Sequence, residues 1–454
     1  MICTKCGGDL ETGAHFCGKC GTPVAVVTDN RTNFTPDGIG LHNPRIVSAS
    51  DRYTKSPPAS RRRLILWSGG IGTAGLAFLA YQRSTPVPFW APLTPTPPAS
   101  QSPLASRMPL PSRTPQSAQT HTAPTATAAG PKRLIVDAAG SSEYTTIASA
   151  ILGARPEDII VLRPGTYKES LRIDRDVQIV GEGGRSKVIV EAAPGQGAVF
   201  MFTAGSATLT GLTIRIVGTG TANIGAGAIA VLAGTPVIED CDLTSSAGSA
   251  VYILGAGANP VIRNCTMRNS RDDGVHVQEQ GQGTIEKCVI SGNTGSGVAI
   301  TTGGNPTVRD CEIRDNKGVG VMVLEQGQGT IERCVISGNA YAGVQIKRGG
   351  NPVVRDCEIR DNKGGGVFVS EQGQGTIERC VISGNAFAGV EIRTGGNPVV
   401  RDCEIRDNKQ AGVVVTEQAQ GTFTGNTLTG NANGAWVIRA DAGRVTRTGN
   451  RPNE

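Results

Sequence analysis

From residue 275 onward, apolar side chains recur in five fixed columns. Val275, Val277, Ile285, Cys288 and Ile290 are followed by Val298, Ile300, Val308, Cys311 and Ile313, and then by Val321, Val323, Ile331, Cys334 and Ile336. Within each close pair the spacing is two, the alternation of a strand with one buried face. Between Ile285 and Cys288 it is three, which predicts a bend that keeps both side chains inside. Eight of the twelve cysteines mark the same period: Cys241, Cys265, Cys288, Cys311, Cys334, Cys357, Cys380 and Cys403 are separated by one interval of 24 residues and six of 23. A fixed period of this length predicts stacked repeats. Twenty-three Gly-rich residues hold neither a four-stranded blade nor a strand with a helix. Each repeat is therefore a coil of short strands joined by turns.

The turns carry columns of their own. Gly274, Gly297, Gly320, Gly343, Gly366, Gly389 and Gly412 share one position, where the bend either needs positive φ or leaves no room for Cβ. Asn293, Asn316, Asn339, Asn362, Asn385, Asn408 and Asn431 share another, and stacked amides of this kind hydrogen-bond along the column. Outward positions alternate in charge over two coils: Glu286, Arg309, Glu332, Arg355, Glu378 and Arg401 in one column, Lys287, Asp310, Arg333, Asp356, Arg379 and Asp402 in the next. With coils roughly 4.8 Å apart, each charge is expected to meet opposite charges above and below, a device that fixes register. The interior cysteines are expected to pack as small core residues. Their roughly 4.8 Å stacking exceeds the ~3.8 Å Cβ separation of a disulfide, and Asn426 fills the next slot of the column. The expected fold is all-β, a right-handed parallel β-helix solenoid over residues 131–443, followed by a polar tail at 444–454.

The elements Gly-Asn-Pro-Val-Val-Arg-Asp-Cys (350–357) and Gln-Gly-Thr-Ile-Glu-Arg-Cys (374–380) resemble the pectin-lyase-like β-helix repeats of polysaccharide-active enzymes, alginate epimerases and the F-box-only protein with a β-helix. Residues 144–183, with Arg163-Pro164-Gly165-Thr166-Tyr167 and Val180-Gly181-Glu182-Gly183, are similar to the first coil of such enzymes. The resemblance implies that Thr146 to Ala154 form a short amphipathic helix capping the open end. It covers about two thirds of the chain and speaks to fold, which does not by itself fix function.

The N-terminus has different chemistry. Cys3-x-x-Cys6 and Cys17-x-x-Cys20, ten residues apart and each followed by Gly, form the spacing of a closed four-thiolate zinc site. A zinc-ribbon over residues 1–23 is expected, with structural zinc providing most of its folding free energy and His15 a bystander. It resembles the ribbon that opens many prokaryotic membrane proteins. A linker at 24–60 precedes Arg61-Arg62-Arg63 and an uncharged stretch, Leu64 to Tyr81, within an expected transmembrane anchor at 64–82. Eighteen helical residues span roughly 27 Å, enough to cross a bilayer, and the arginines hold the N-terminal side in the cytoplasm. Ser60-Arg61-Arg62-Arg63-Leu64-Ile65 also resembles a twin-arginine export motif, and both readings send the β-helix outside. Residues 84–130 contain eleven prolines and no acidic residue, the composition of an extended stalk. The expected location is the cell membrane, single-pass, with the N-terminus cytoplasmic.

The net charge of +6 is uneven. Residues 1–130 hold 12 Lys and Arg against 5 Asp and Glu, and the remainder holds 32 against 33. With a near-neutral repeat domain, nucleic acid is not an expected partner. A binding face for a polysaccharide or protein is expected where otherwise similar coils differ: Met322, Leu324, Gln345, Lys347, Phe368, Glu391 and Arg393, on outward strand positions that begin at His276 and Gln278. The competing enzymatic reading is a polysaccharide lyase, hydrolase or epimerase. Its candidate residues are Asp272, Asp273 and His276, in Ser270-Arg271-Asp272-Asp273-Gly274-Val275-His276, where the two acids depart from the small or apolar residues of later coils. This is similar to the paired aspartates of polygalacturonase-like hydrolases, although the Asn-Thr-Asp, Gly-His-Gly and Arg-Ile-Lys elements of that family are missing. The resemblance to lyases would imply calcium as their cofactor. A turn with solvated carboxylates is the alternative.

Overall fold

The computed structural model describes residues 130–220, 225 and 227–452. The four-cysteine ribbon, the linker, the anchor at 64–82 and all but the last residue of the stalk at 84–130 lie outside the described residues. Among the described residues no helix is long and apolar enough to cross a membrane.

One coil shows how the chain builds the solenoid. Thr284–Glu286 is a strand of the first sheet, Val289–Ser291 of the second and Val298–Ile300 of the third, after which Thr307–Arg309 returns to the first. Successive coils pair in parallel with single-residue register, as in Ile285 with Val308 and Ile290 with Ile313. The three sheets contain 14, 12 and 12 strands. The expected bend between Ile285 and Cys288 is made at Lys287, whose φ is +52°, and by the same conformation at Asp310 and Arg333. A single left-handed residue reverses the alternation, so Ile285 and Cys288 both point inward and are buried.

The interior is a stack of these columns. Each fully buried Val or Ile contributes about 1.5–3 kcal/mol through removal from water. All eight cysteines in the core are free thiols. The thiol of Cys288 is 3.2 Å from the Glu286 carbonyl and 3.6 Å from that of Ile262. The other thiols of the column donate to backbone carbonyls in the same way, so they pack as small core residues.

The asparagine ladder forms as expected. Asn316 Oδ1 accepts from Asn293 N at 3.1 Å and from Asn293 Nδ2 at 3.0 Å, and Asn339 does the same for Asn316. The Gly274 column turns out to be steric: a Cβ on Gly320 would stand 2.4 Å from Ile336 Cγ2 and 2.5 Å from the Gly343 carbonyl oxygen. Positive φ is needed elsewhere, as at Gly338, where it is +65°.

Two expectations require correction. The charge columns do not pair evenly upward and downward. Arg309 binds Glu286 and Arg355 binds Glu332, each reaching back one coil, while Arg333 joins Asp310 to Glu332. The long guanidinium stem leans to one side, so the columns are broken into short clusters. The solenoid also continues past residue 443: Val445–Thr448 adds a strand to the first sheet, and Asn450 extends the cysteine column beyond Asn426, accepting from Asn426 N at 3.0 Å. At the other end the cap helix runs Ile147–Gly153, with Thr146 as N-cap accepting from Ser149 N. It buries Ile147, Ala150 and Ile151 over the first coil and closes the core.

Candidate functional site

The residues singled out in the sequence come together on the outer face of the third sheet. Thr266–Arg268 ends a strand of the second sheet, and the chain turns through Ser270–Gly274 into Val275–Gln278 of the third. Because Val275 and Val277 fill the core, His276 must point outward. It stands between Tyr252 of the preceding coil and Ala299 of the next.

Asp273 is 4% exposed, so it is not a solvated turn carboxylate. Its Oδ1 accepts from Ser296 N at 2.6 Å and its Oδ2 lies 3.0 Å from His276 Nδ1. An ionised carboxylate only accepts, which places the imidazole proton on Nδ1 and leaves the Nε2 lone pair free to accept from Thr301 Oγ1 at 3.3 Å. The Tyr252 ring stacks on the imidazole with centroids 5.7 Å apart, and its Oη accepts from Ser249 N at 3.3 Å. Asp272 is exposed beside this buried pair. Partial desolvation and the charge of Asp273 push its carboxyl up, against a smaller opposing pull from His276.

The site borders the most irregular turn of the solenoid. Between Thr213–Ile216 and Ile229–Val231 the chain takes twelve residues, against six in the regular coils. Arg271 Nη1 donates to the Gly220 carbonyl and ties this turn to the Asp272 coil. Outward-facing Ala230 and Tyr252 are buried with Ala198, and Met201 and Leu254 pack against them in a small second core outside the solenoid.

One donor atom from each of Asp272, Asp273 and His276 lies within 4.8 Å of the others. Calcium takes six to eight oxygen ligands. Both Asp273 oxygens are engaged and His276 offers nitrogen, so these residues do not fit calcium. What the group can do is move a proton: an imidazole oriented by Asp273, with Nε2 beside the Thr301 hydroxyl, next to an Asp272 carboxyl that is pushed up.

The expected binding face is a continuous row. His276, Ala299, Met322, Gln345, Phe368 and Glu391 are neighbours in register. Met322, Leu324, Gln345 and Phe368 are half-buried, so they form the floor of the sheet surface. Lys347 lies 5.5 Å above the Phe368 ring and pairs with Glu371, while Glu391 pairs with exposed Arg393. Clefts lie toward the ends of the solenoid. One of about 560 Å³ is lined by Ala154, Pro156, Asp174, Arg175, Asp176 and Gly205, and one of about 420 Å³ includes Arg393 and Arg439. Sequence reading missed Tyr252, Ser296 and Thr301 as partners of the acids and the imidazole. Ser296 was accessible, since it is one 23-residue period beyond Asp273.

A family model described as a right handed beta helix region matches residues 197–326 and 296–451. No curated protein matches the chain. Among solved structures, the catalytic domain of a GH87 alpha-1,3-glucanase in complex with nigerose is similar, with 13% identity, a TM-score of 0.58, and coverage of 70% of this chain and 68% of that one. The A-module of a mannuronan C-5 epimerase from Azotobacter vinelandii shares 19% identity at a TM-score of 0.53, covering 68% of this chain and 94% of its own. A periplasmic alginate epimerase shares 14% at 0.52, covering 64% and 77%. At these identities the likeness is one of fold.

Proposed function

Since the chain belongs to the right-handed β-helix family, we propose that it acts on a polysaccharide lying across its third sheet, by proton transfer at Asp272, Asp273 and His276. The observation that carries this reading is the buried Asp273 carboxylate holding His276 Nδ1 at 3.0 Å on an outward face. The fold does not require that carboxylate: later coils place Ser296, Val319, Ala342, Gly365, Ala388 and Ala411 in the same slot. A buried charge kept without a fold requirement supports a chemical role. The names of the similar solved proteins, which include a glucanase and two alginate epimerases, agree with a glycan as substrate.

The substrate class follows from the groups. An imidazole base suits a hydrogen made acidic by an adjacent carboxylate, as at C5 of a uronate. His276 Nε2 takes that proton and the electron pair passes to the carboxylate-stabilised carbanion. Either the pair then expels the glycosidic oxygen at C4, which takes its proton from Asp272, or the carbanion is reprotonated on its other face. The first outcome is elimination and the second epimerisation. Asp273 acts as a positioning residue, fixing the tautomer of the base.

The N-terminal sequence extends the proposal. Zinc held by Cys3, Cys6, Cys17 and Cys20 would stabilise a cytoplasmic ribbon, and the anchor with its proline-rich stalk would present the β-helix outside the membrane. The deciding experiment incubates the full chain with polymannuronate, polyguluronate and polygalacturonate, following unsaturated ends by ultraviolet absorbance and epimers by NMR. Turnover that disappears in His276→Gln is expected. If none of the three polymers changes, or the variant works equally well, the reading is wrong.

A further inference from the structure

The turn that carries Asp272 continues, coil by coil, as a rim along the third sheet. Backbone hydrogen bonds keep it in register. Gly295 N donates to the Asp272 carbonyl, Gly318 N to Gly295, Tyr341 N to Gly318, Gly364 N to Tyr341 and Phe387 N to Gly364. Asp272, Tyr341 and Phe387 therefore stand in one row along the solenoid axis. Tyr341 is 64% exposed and Phe387 47%, and among the described residues they are the only aromatics in the set of exposed large hydrophobics. Neither is used by the fold, since Gly318 and Gly364 occupy the same slot in the coils between.

The adjacent row is basic in every second coil. Arg271, Lys317, Lys363 and Lys409 are all exposed, with Thr294, Ala340 and Ala386 between them. The row is held in register by bonds such as Lys363 N to the Asn339 carbonyl and Ala386 N to that of Asn362. Among the described residues Lys317, Lys363 and Lys409 make no ion pair, although arginines on neighbouring columns are nearly all paired. The opposite rim of the same sheet carries Glu279, Glu325, Glu371 and Glu417 in every second coil, with Arg348 between Glu325 and Glu371 and paired to both. An anionic chain on this face is thus drawn to the rim whose lysines are unpaired.

We infer that the basic and aromatic rim is the track for an acidic polysaccharide that repeats every two sugars and runs parallel to the solenoid axis. Cations two coils apart recur about every 9.6 Å, and Tyr341 and Phe387 share that spacing, offset by one coil. An extended β-1,4-linked uronan is a two-fold ribbon, so carboxylates on one edge recur once per disaccharide, a length commensurate with two coils. Carboxylates would sit on Lys317, Lys363 and Lys409, and alternate sugar faces would stack on Tyr341 and Phe387. The inference rests on the proposed function in one respect, that the track leads to Asp272 and His276.

The test is binding to immobilised polymannuronate by the full chain and three variants, over a range of salt concentrations. Replacing Lys317, Lys363 and Lys409 with Gln is expected to weaken binding about tenfold and to flatten its salt dependence. Lys287→Gln, on another exposed column, should change neither. Tyr341→Ser with Phe387→Ser should weaken binding about tenfold without altering the salt slope. The track is overturned if the wild type does not bind the polymer, if the triple variant binds like wild type, or if a DNA duplex binds as tightly and with the same lysine dependence. Failure of the proposed chemistry shows separately, as intact lysine-dependent binding without turnover.

Discussion

The coil containing Asp272, Asp273 and His276 and the coils stacked after it follow one backbone path but fill it differently. In the later coils the slot of Asp273 holds Ser, Val, Ala or Gly, and the turn still closes with the same coil-to-coil hydrogen bonds. Those coils devote their polar side chains to register, through the asparagine ladder and the arginine clusters. In the earlier coil, a carboxylate is buried where none is needed and its second oxygen is aimed at an imidazole. Burying a charge costs free energy unless it is well partnered. The difference separates what maintains the solenoid from what it displays.

The largest effect that can break this contrast is expected at Asp273. Asp273→Asn keeps the shape of the turn but removes the charge that selects the His276 tautomer, and turnover of a uronan should fall by about a hundredfold or more. Thermal unfolding should shift little, because neutral residues occupy this slot in the other coils. The later coils should show the reverse. Asn339→Ala deprives Asn316 N and Nδ2 of their acceptor and leaves the Ile313 carbonyl without its donor, at a cost of about 1–3 kcal/mol in chemical denaturation. Binding and turnover per folded molecule should be unchanged.

The pH dependence sharpens the role of Asp272. Its carboxyl is pushed up by partial desolvation and the neighbouring Asp273, so it keeps its proton to a higher pH than a free aspartate. If it donates the proton in elimination, the rate at saturating substrate should fall as pH rises through that raised value, by about tenfold per unit. Asp272→Asn should abolish this limb of the profile. The smallest effect is expected in the charge columns. Arg333→Gln should lower the denaturation midpoint only slightly, and by less at high salt. Arg333 holds the Asp310 carboxyl below its ordinary range, so the contribution is present above that range and is lost as pH falls through the lowered value.

Most of the fold was legible because the repeat is dictated by physics that the sequence records directly. Inward columns must be apolar, and Cys288, Cys311 and their equivalents mark the period without gaps. The capping helix was expected from the resemblance of residues 144–183 to the first coil of pectin-lyase-like enzymes. The direction of arginine pairing was not, since alternating charge is compatible with reaching either way and the stem geometry decides. The last strand escaped because Thr446 and Arg447 lack the apolar alternation of earlier coils, leaving Asn450 as the one sign of continuation. At the site, Asp272, Asp273 and His276 stood out against their columns. Tyr252 did not, because the coil lengths before Cys265 depart from 23 and hide its register with His276. The lysine row at Lys317, Lys363 and Lys409 was present in the same alignment, and acquires meaning only once the turns are seen to stack.

The most direct test of the central claim is proton exchange at C5 of polymannuronate in deuterated water, measured by NMR for the wild type, Asp273→Asn and His276→Gln. The wild type is predicted to incorporate deuterium or form unsaturated ends, with Asp273→Asn strongly slowed and His276→Gln inactive while both remain folded. Exchange that proceeds equally in all three proteins, or in none of them, would contradict it.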